Sequence, residues 1–247
     1  MPEEDENSLL FHLEALRRVL LRIFAVTSLL YPAAFYAAPW VIGFLVQWSF
    51  PPEAGKLHYF SPMEVFWVQL KLAFVLALAA AYPWNIHQIW KFLLPALYRD
   101  ERKALGWWIV FSSILFFGGI AFCIGVILPA LMKFSAGFAS PELQPILGLA
   151  NFLNLAGWLM LAFGLMFQSP ILVLLGVRFG VFSADSLRKK RPFVMTIILV
   201  AAAILTPPDV VSQIFLALPT WLLFETGLLL ARRIERKRNH LQEENQA

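Results

Sequence analysis

The sequence contains little charge and only one cysteine. Lysine, arginine, aspartate and glutamate make up 15% of the 247 residues, whereas apolar residues make up 60%. So few polar side chains cannot cover so much apolar surface, which excludes an ordinary soluble globular protein. The single cysteine, Cys123, excludes an intrachain disulfide and any metal site built from cysteines. The composition therefore indicates an integral membrane protein.

Catalytic and ligand-binding motifs are also missing from the sequence. No His-Glu-x-x-His, no Gly-x-Ser-x-Gly and no glycine-rich phosphate loop with a lysine occurs. The basic residues do not form one stripe interleaved with aromatic residues, as in many nucleic-acid-binding proteins. Residues 1–7 are acidic and do not resemble a cleavable signal peptide. We therefore predict that the protein is not an enzyme, holds no cofactor or metal, and binds no nucleic acid.

Apolar segments that could cross a bilayer occur six times. They are residues 20–46, 63–86, 106–128, 151–176, 193–206 and 210–231. A hydrocarbon core about 30 Å thick needs about 20 helical residues, and the fifth segment has only 14. The sequence predicts an all-α polytopic membrane protein with six transmembrane helices, of which the fifth and sixth are short. Within the third segment, the pair Gly118-Gly119 indicates close helix packing.

Basic residues give the chain an orientation. If the chain crosses the membrane six times, 17 of its 20 lysines and arginines lie on one side. The positive-inside rule assigns that side to the cytoplasm, so we expect both termini there. The predicted domains are a cytoplasmic amino-terminal segment, residues 1–19, a six-helix transmembrane domain, residues 20–231, and a charged cytoplasmic tail, residues 232–247.

Several polar residues lie inside or beside the apolar segments, where such groups often mark function. Asp209 follows the short fifth segment, and Thr206 with Asp209 also fits a capping box for the last helix. Gln213 lies one helical turn beyond Asp209 on the same face. Glu225 could snorkel or form an internal hydrogen bond. Gln168 could join two helices or form part of a partner site.

Short motifs follow one another along almost the whole chain. They are His12-Leu13-x-x-Leu16-Arg17, Ser61-Pro62-x-Glu64-x-Phe66, Gln88-x-Trp90-x-Phe92-x-x-Pro95-x-Leu97-Tyr98-x-x-Glu101-Arg102, Phe116-x-Gly118-x-x-Phe122, Phe163-Gly164-x-x-Phe167-Gln168-x-Pro170, Leu187-Arg188-Lys189-x-Arg191-Pro192, Thr206-Pro207-Pro208-Asp209-x-x-Ser212-Gln213 and Pro219 with Glu225. In this order they resemble the TatC family, the multi-spanning receptor subunit of the twin-arginine protein translocase.

The resemblance implies a receptor for signal peptides that carry paired arginines. It implies binding at the cytoplasmic face of the bacterial inner membrane and transport of folded proteins driven by the proton-motive force. Glu101 matches a family carboxylate that receives the arginines, and a carboxylate can bind the planar guanidinium in bidentate fashion. Phe92 could pack on an arginine stem or on the apolar residues that follow, and Arg17 belongs to the same set. Glu101 could instead only balance Arg102 and Lys103.

One motif departs from the family pattern. The family signature has Glu directly before Leu-Arg and a second Arg two places after the first, where this chain has Ala15 and Val19. Glu14 and Arg18 lie one residue earlier, again at i,i+4 spacing, so the acid–base pair is rotated by about 100° around the helix. We hypothesise that Glu14 replaces the missing carboxylate, with altered geometry.

The resemblance also implies partner proteins. Companion single-span subunits of the TatA and TatB type would dock along the fifth and sixth helices, with Gln168 near a polar residue of the partner. Asp209, Gln213 and Glu225 match family positions for which a scaffold role and a transport role are both open. Self-association in the receptor complex and contact with membrane lipid are expected as well.

The competing hypothesis is a small secondary transporter or channel. Its polar site would lie around Asp209, Gln213 and Lys71, and Lys71 would need a carboxylate partner such as Glu64 or Asp209. We find no internal repeat that relates the first three segments to the last three, as many such folds have. An intramembrane hydrolase is disfavoured because no catalytic constellation is present.

Overall fold

The computed structural model of the protein describes residues 2–50, 57–93, 102–137, 147–205 and 210–244. Within these residues the secondary structure is helical, apart from one isolated parallel bridge between His58 and Gly148. The helices are α1 (Pro2–Ser49), α2 (Pro62–Leu93), α3 (Arg102–Phe122), a π-helical turn (Cys123–Ile127), α4 (Leu128–Ala136), α5 (Leu149–Met166), α6 (Ser169–Arg178), α7 (Ala184–Lys189), α8 (Arg191–Leu205) and α9 (Val210–Glu244).

Length and composition make five stretches of helix suitable for crossing a membrane. These are Leu13–Ser49, Pro62–Phe92, Gly106–Ala136, Leu149–Arg178 and Val210–Arg233. The fifth apolar segment of the sequence forms α8, which is shorter, with 15 residues. A helix of that length is about 22 Å long, less than the hydrocarbon thickness. Within the described residues, the predicted apolar segments therefore lie on helices, apart from the turn at Phe167 and Gln168. The sixth segment begins α9, which has 35 residues and is longer than predicted.

Helix ends differ from the apolar boundaries at both termini of the chain. The first helix begins at Pro2, well before the first predicted apolar segment at residues 20–46, and the last continues to Glu244 through the charged tail. Pro170 explains the break between α5 and α6, because proline lacks an N–H and its ring clashes with the preceding turn. At this break the N–H of Phe167 still donates to the carbonyl of Phe163 at 3.0 Å.

The chain divides into two compact units. The first contains Met1–Val46, His58–Ile114 and Gly148–Asn154. In this unit, side chains of α1 and α2 form hydrogen bonds to each other's backbone. The Tyr31 hydroxyl donates to the carbonyl of Leu70 at 3.2 Å, and Gln69 Nε2 donates to the carbonyl of Phe35 at 3.2 Å. These pairings run in opposite directions along the two helices, which are therefore antiparallel.

A carboxylate fastens α5 to the start of α2 in this unit. Glu64 Oε2 accepts from the N–H of Phe60 at 2.7 Å, and Oε1 accepts from the N–H of Ala150 at 3.0 Å. The second bond satisfies one of the free N–H groups in the first turn of α5. Glu64 is thus a capping residue for two helices, and not the ion-pair partner considered for Lys71, which is exposed on α2.

The second unit contains Gln47–Leu57, Leu115–Leu147 and Leu155–Ala247. Its core is built on glycines that let helices approach closely. A Cβ atom added to Gly119 of α3 would lie 2.6 Å from the carbonyl oxygen of Phe163 on α5, and one added to Gly227 of α9 would lie 2.7 Å from the Cα of Pro170 on α6. Phe122 packs against Phe163 beside the first crossing, with ring centroids 5.9 Å apart.

Candidate functional site

The first candidate site lies at one end of the α1–α2 pair, beyond the contact between Arg22 and Gln88. Arg22 Nη1 donates to Oε1 of the buried Gln88 at 3.5 Å, which fixes the face of α1 that meets α2. Glu14 and Arg18 precede Arg22 at four-residue intervals and therefore share its face. Arg18 lies one helical turn from this contact on α1. Because α1 and α2 are antiparallel, the half-buried Phe92 lies one turn from the contact in the same direction on α2. The row of charged side chains on α1, Arg22, Arg18 and Glu14, thus runs toward the end of α2 that carries Phe92.

The carboxylate of Glu14 is paired but accessible. Its Oε1 lies 3.3 Å from Arg18 Nη2, and the two side chains are 63% and 58% exposed. An exposed i,i+4 ion pair contributes at most about 1 kcal/mol, so an incoming guanidinium can displace Arg18 at little cost. Arg17 is also exposed and is turned by about 100° from Arg18 around the helix. Glu101, the other predicted carboxylate, lies outside the described residues.

Gln168 occupies the break between α5 and α6. Its side chain is half-buried, and Nε2 donates to the carbonyl of Gly164 one turn earlier at 3.3 Å. This bond gives the carbonyl of Gly164 a donor at the point where the regular helix is interrupted. The contact is local, so it explains the conformation of Gln168 and leaves its predicted role toward a partner untested.

Gln213 connects the last two helices. Its Nε2 donates to the carbonyl of Leu199 on α8 at 3.1 Å, so the side chain joins α9 to α8. Thr206 and Asp209, which the sequence places in the same corner, lie outside the described residues. Of Asp209 and Gln213, which were predicted to line one polar pocket, only Gln213 is among the described residues.

Glu225 forms an ion pair that the sequence did not reveal. Arg191 Nη2, at the start of α8, donates to Glu225 Oε2. The two side chains are 38% and 23% exposed, respectively, so both charges are partly withdrawn from water. Of the two expectations for Glu225, an internal hydrogen bond is correct, and snorkelling is not needed. The four basic residues at 188–191 indicated that a cationic partner was available. The sequence could not show that Arg191, and not one of the other three, pairs with Glu225.

Comparison with known proteins gives a consistent result. The family model for "Sec-independent protein translocase protein (TatC)" matches residues 11–219. The chain is 33% identical over 237 residues to the protein of that name from Escherichia coli strain K12, covering 94% of this chain and 91% of the relative. It is 29% identical over 236 residues to TatCd of Bacillus subtilis strain 168, covering 96% of each.

Solved structures extend this similarity to the fold. A crystal structure described as the twin arginine translocase receptor TatC in DDM superposes with a TM-score of 0.80 at 29% identity, covering 89% of this chain and 99% of that one. A second crystal structure of the TatC receptor superposes with a TM-score of 0.79 at 30% identity, covering 90% of this chain and 98% of that one. The fold is therefore similar to that of these receptors, which confirms the predicted all-α membrane fold.

Proposed function

Because the chain belongs to the TatC family, as its motifs predicted, we propose that it is the receptor of a twin-arginine protein translocase. In this role it binds paired-arginine signal peptides and helps to move folded proteins across the membrane, driven by the proton-motive force. The observation that carries the proposal is the family relationship over nearly the whole chain, together with the accessible carboxylate of Glu14 on α1. The transporter hypothesis finds no comparable support, since Gln213 is bonded to α8 and Lys71 is exposed.

The proposed arginine site combines Glu14, Arg17, Phe92 and Glu101. Glu14 is held on a rigid helix, and its resident partner Arg18 is itself a guanidinium, so the carboxylate already accepts the group that the signal peptide would present. The charge-assisted bond to an arginine is stronger than a neutral hydrogen bond, and its planar geometry discriminates against lysine. Phe92 supplies an apolar surface for the residues beside the arginines.

The proposed location is the inner membrane of a bacterium, with both termini and the arginine site in the cytoplasm. Six helices would cross the bilayer, including α8, whose 15 residues require local thinning or a polar surrounding at one end. The functional division into residues 1–19, 20–231 and 232–247 is kept in this proposal, although α1 and α9 each continue through a boundary.

The proposed partners are single-span subunits of the TatA and TatB type, in addition to further copies of this chain. The helices α8 and α9 both expose large apolar side chains that a partner helix would cover. On α8 and α9 these include Phe193, Ile197, Val200, Ile204, Val210, Ile214, Leu218 and Leu222. Polar residues beside these faces, Gln168, Asp209, Gln213 and Glu225, are proposed to fix the register of the partner or to act in transport.

Complementation of a bacterial strain that lacks its own TatC tests this proposal. We expect the gene, supplied with matching TatA and TatB subunits, to restore export of a folded reporter that carries a paired-arginine signal. Glu14→Gln should lower crosslinking of the signal peptide by about tenfold or more, the effect of losing one charge-assisted hydrogen bond.

Glu14→Gln with Ala15→Glu is the matched variant, because it returns a carboxylate to the position that the family signature uses. Recovery of crosslinking in this double variant would support direct arginine binding. Absence of any export with the wild-type gene would contradict the receptor function, whereas full crosslinking with Glu14→Gln would contradict the assignment of Glu14.

A further inference from the structure

A cluster of basic side chains surrounds the contact between α7 and the end of α9. Two interactions hold these helices together: the N–H of Ala184 donates to Glu235 Oε2 at 3.1 Å, and Asp185 Oδ1 lies 3.8 Å from Arg232 Nη2. The second distance is too long for a hydrogen bond. Asp185 is also 83% exposed, so water screens its charge. Arg232 therefore receives only weak compensation from Asp185.

The guanidinium of Arg232 is incompletely satisfied. Its side chain is 22% exposed, and its Nε and Nη2 atoms are buried without a hydrogen-bond acceptor in the described part of the chain. Removing a charged group from water without matching hydrogen bonds is costly. An anion beside the exposed part of this side chain would balance its positive charge and so lower that cost.

Other cations lie around the same point. Arg188 and Lys189 follow Asp185 on α7 at i+3 and i+4 and so share its face, while Arg236 follows Arg232 by one turn of α9. All three side chains are exposed. Together with Arg232 these four cations outnumber Asp185 and Glu235, and the cluster carries a net positive charge.

The position of the cluster along α9 identifies the source of the anion. The apolar part of this helix, Val210–Arg233, ends at Arg232 and Arg233. By length and composition we expect these residues at the boundary between the hydrocarbon core and the headgroups. We propose that Arg232, with Arg188, Lys189 and Arg236, forms a binding site for the phosphate of an anionic phospholipid. Free phosphate has the same chemistry, but it is not concentrated at this depth as lipid phosphates are.

Native mass spectrometry of the purified full chain in detergent can test this site. Bound lipids would be counted during titration with phosphatidylglycerol or phosphatidylcholine, and inorganic phosphate would be added in a third series. We expect phosphatidylglycerol to bind in preference to phosphatidylcholine, and Arg232→Gln to weaken its binding by about tenfold. Arg233→Gln, an exposed neighbour with the same change in charge, should leave binding within about twofold of wild type.

Asp185→Asn separates ligand binding from a structural role of Arg232. It removes the competing carboxylate and keeps the guanidinium, so we expect phosphatidylglycerol to bind up to about fivefold more tightly. Weaker phosphatidylglycerol binding by Asp185→Asn would mean that lipid binding depends on the contact between α7 and α9 and not on the guanidinium of Arg232. That result would overturn the proposal. Equal losses in Arg232→Gln and Arg233→Gln, or displacement of the lipid by millimolar inorganic phosphate, would also overturn it.

Discussion

Replacing Gly119 with alanine should strongly reduce the amount of folded protein, whereas the same change at its neighbour Gly118 should not. The added Cβ atom at position 119 would lie 2.6 Å from the backbone oxygen and 2.9 Å from the carbonyl carbon of Phe163. Neither backbone atom can move by rotating a side chain, so α3 and α5 must separate. Overpacking of this kind costs about 1–3 kcal/mol, and a larger residue such as valine should cost more.

Gly118 is the matched control for this prediction. A Cβ atom added there meets no other atom within 4 Å, so Gly118→Ala changes helix propensity without steric conflict. The measurement is the thermal stability of both purified variants in detergent, followed by fluorescence-detected size-exclusion chromatography. Equal stability of Gly119→Ala and Gly118→Ala would contradict the close contact between α3 and α5.

Removing the carboxylate of Glu225 should destabilise the junction of α8 and α9. Glu225→Ala leaves Arg191 partly buried at the start of α8 without its anion. Loss of one partner of a fully buried pair costs about 3–5 kcal/mol. Because both side chains retain some exposure, we expect a smaller loss, about 1–3 kcal/mol, seen as a lower unfolding temperature in detergent.

A double variant distinguishes the ion pair from simple loss of packing. In Glu225→Gln with Arg191→Gln, neither charge is left uncompensated, so the double variant should be more stable than Glu225→Gln alone. A double-mutant cycle measures this coupling free energy between Arg191 and Glu225, including its sign. Strictly additive effects of the two substitutions would show that the contact between Arg191 and Glu225 contributes nothing to stability.

Local features of the fold were readable from the sequence. Apolar length and composition located the membrane helices, because burial in lipid requires long stretches without charge. The fifth segment was predicted to be short, and α8 has 15 residues. The pair Gly118-Gly119 was correctly interpreted as a close packing site, but the sequence could not show that Gly119 makes the contact. That choice depends on the rotation of α3 about its own axis, which neighbouring helices determine.

Contacts between distant residues could not be predicted in the same way. Glu225 and Arg191 are 34 residues apart, and Glu64 and the N–H of Ala150 are 86 residues apart. Periodicity describes which face of a helix a residue occupies, but it does not describe which helix lies opposite. The ion pair between Glu14 and Arg18 was easier to predict, because both residues are on one helix and their i,i+4 spacing alone implies it. The role of Glu14 in binding arginines stays a prediction.

Direct binding of signal peptides is the sharpest test of whether this protein recognises paired arginines. The purified receptor complex would be titrated with two fluorescent signal peptides that differ only in Arg-Arg against Lys-Lys. The proposed carboxylate site predicts that the Lys-Lys peptide binds at least about tenfold more weakly, because lysine cannot form the bidentate contact. Equal affinity for the two peptides would contradict the account.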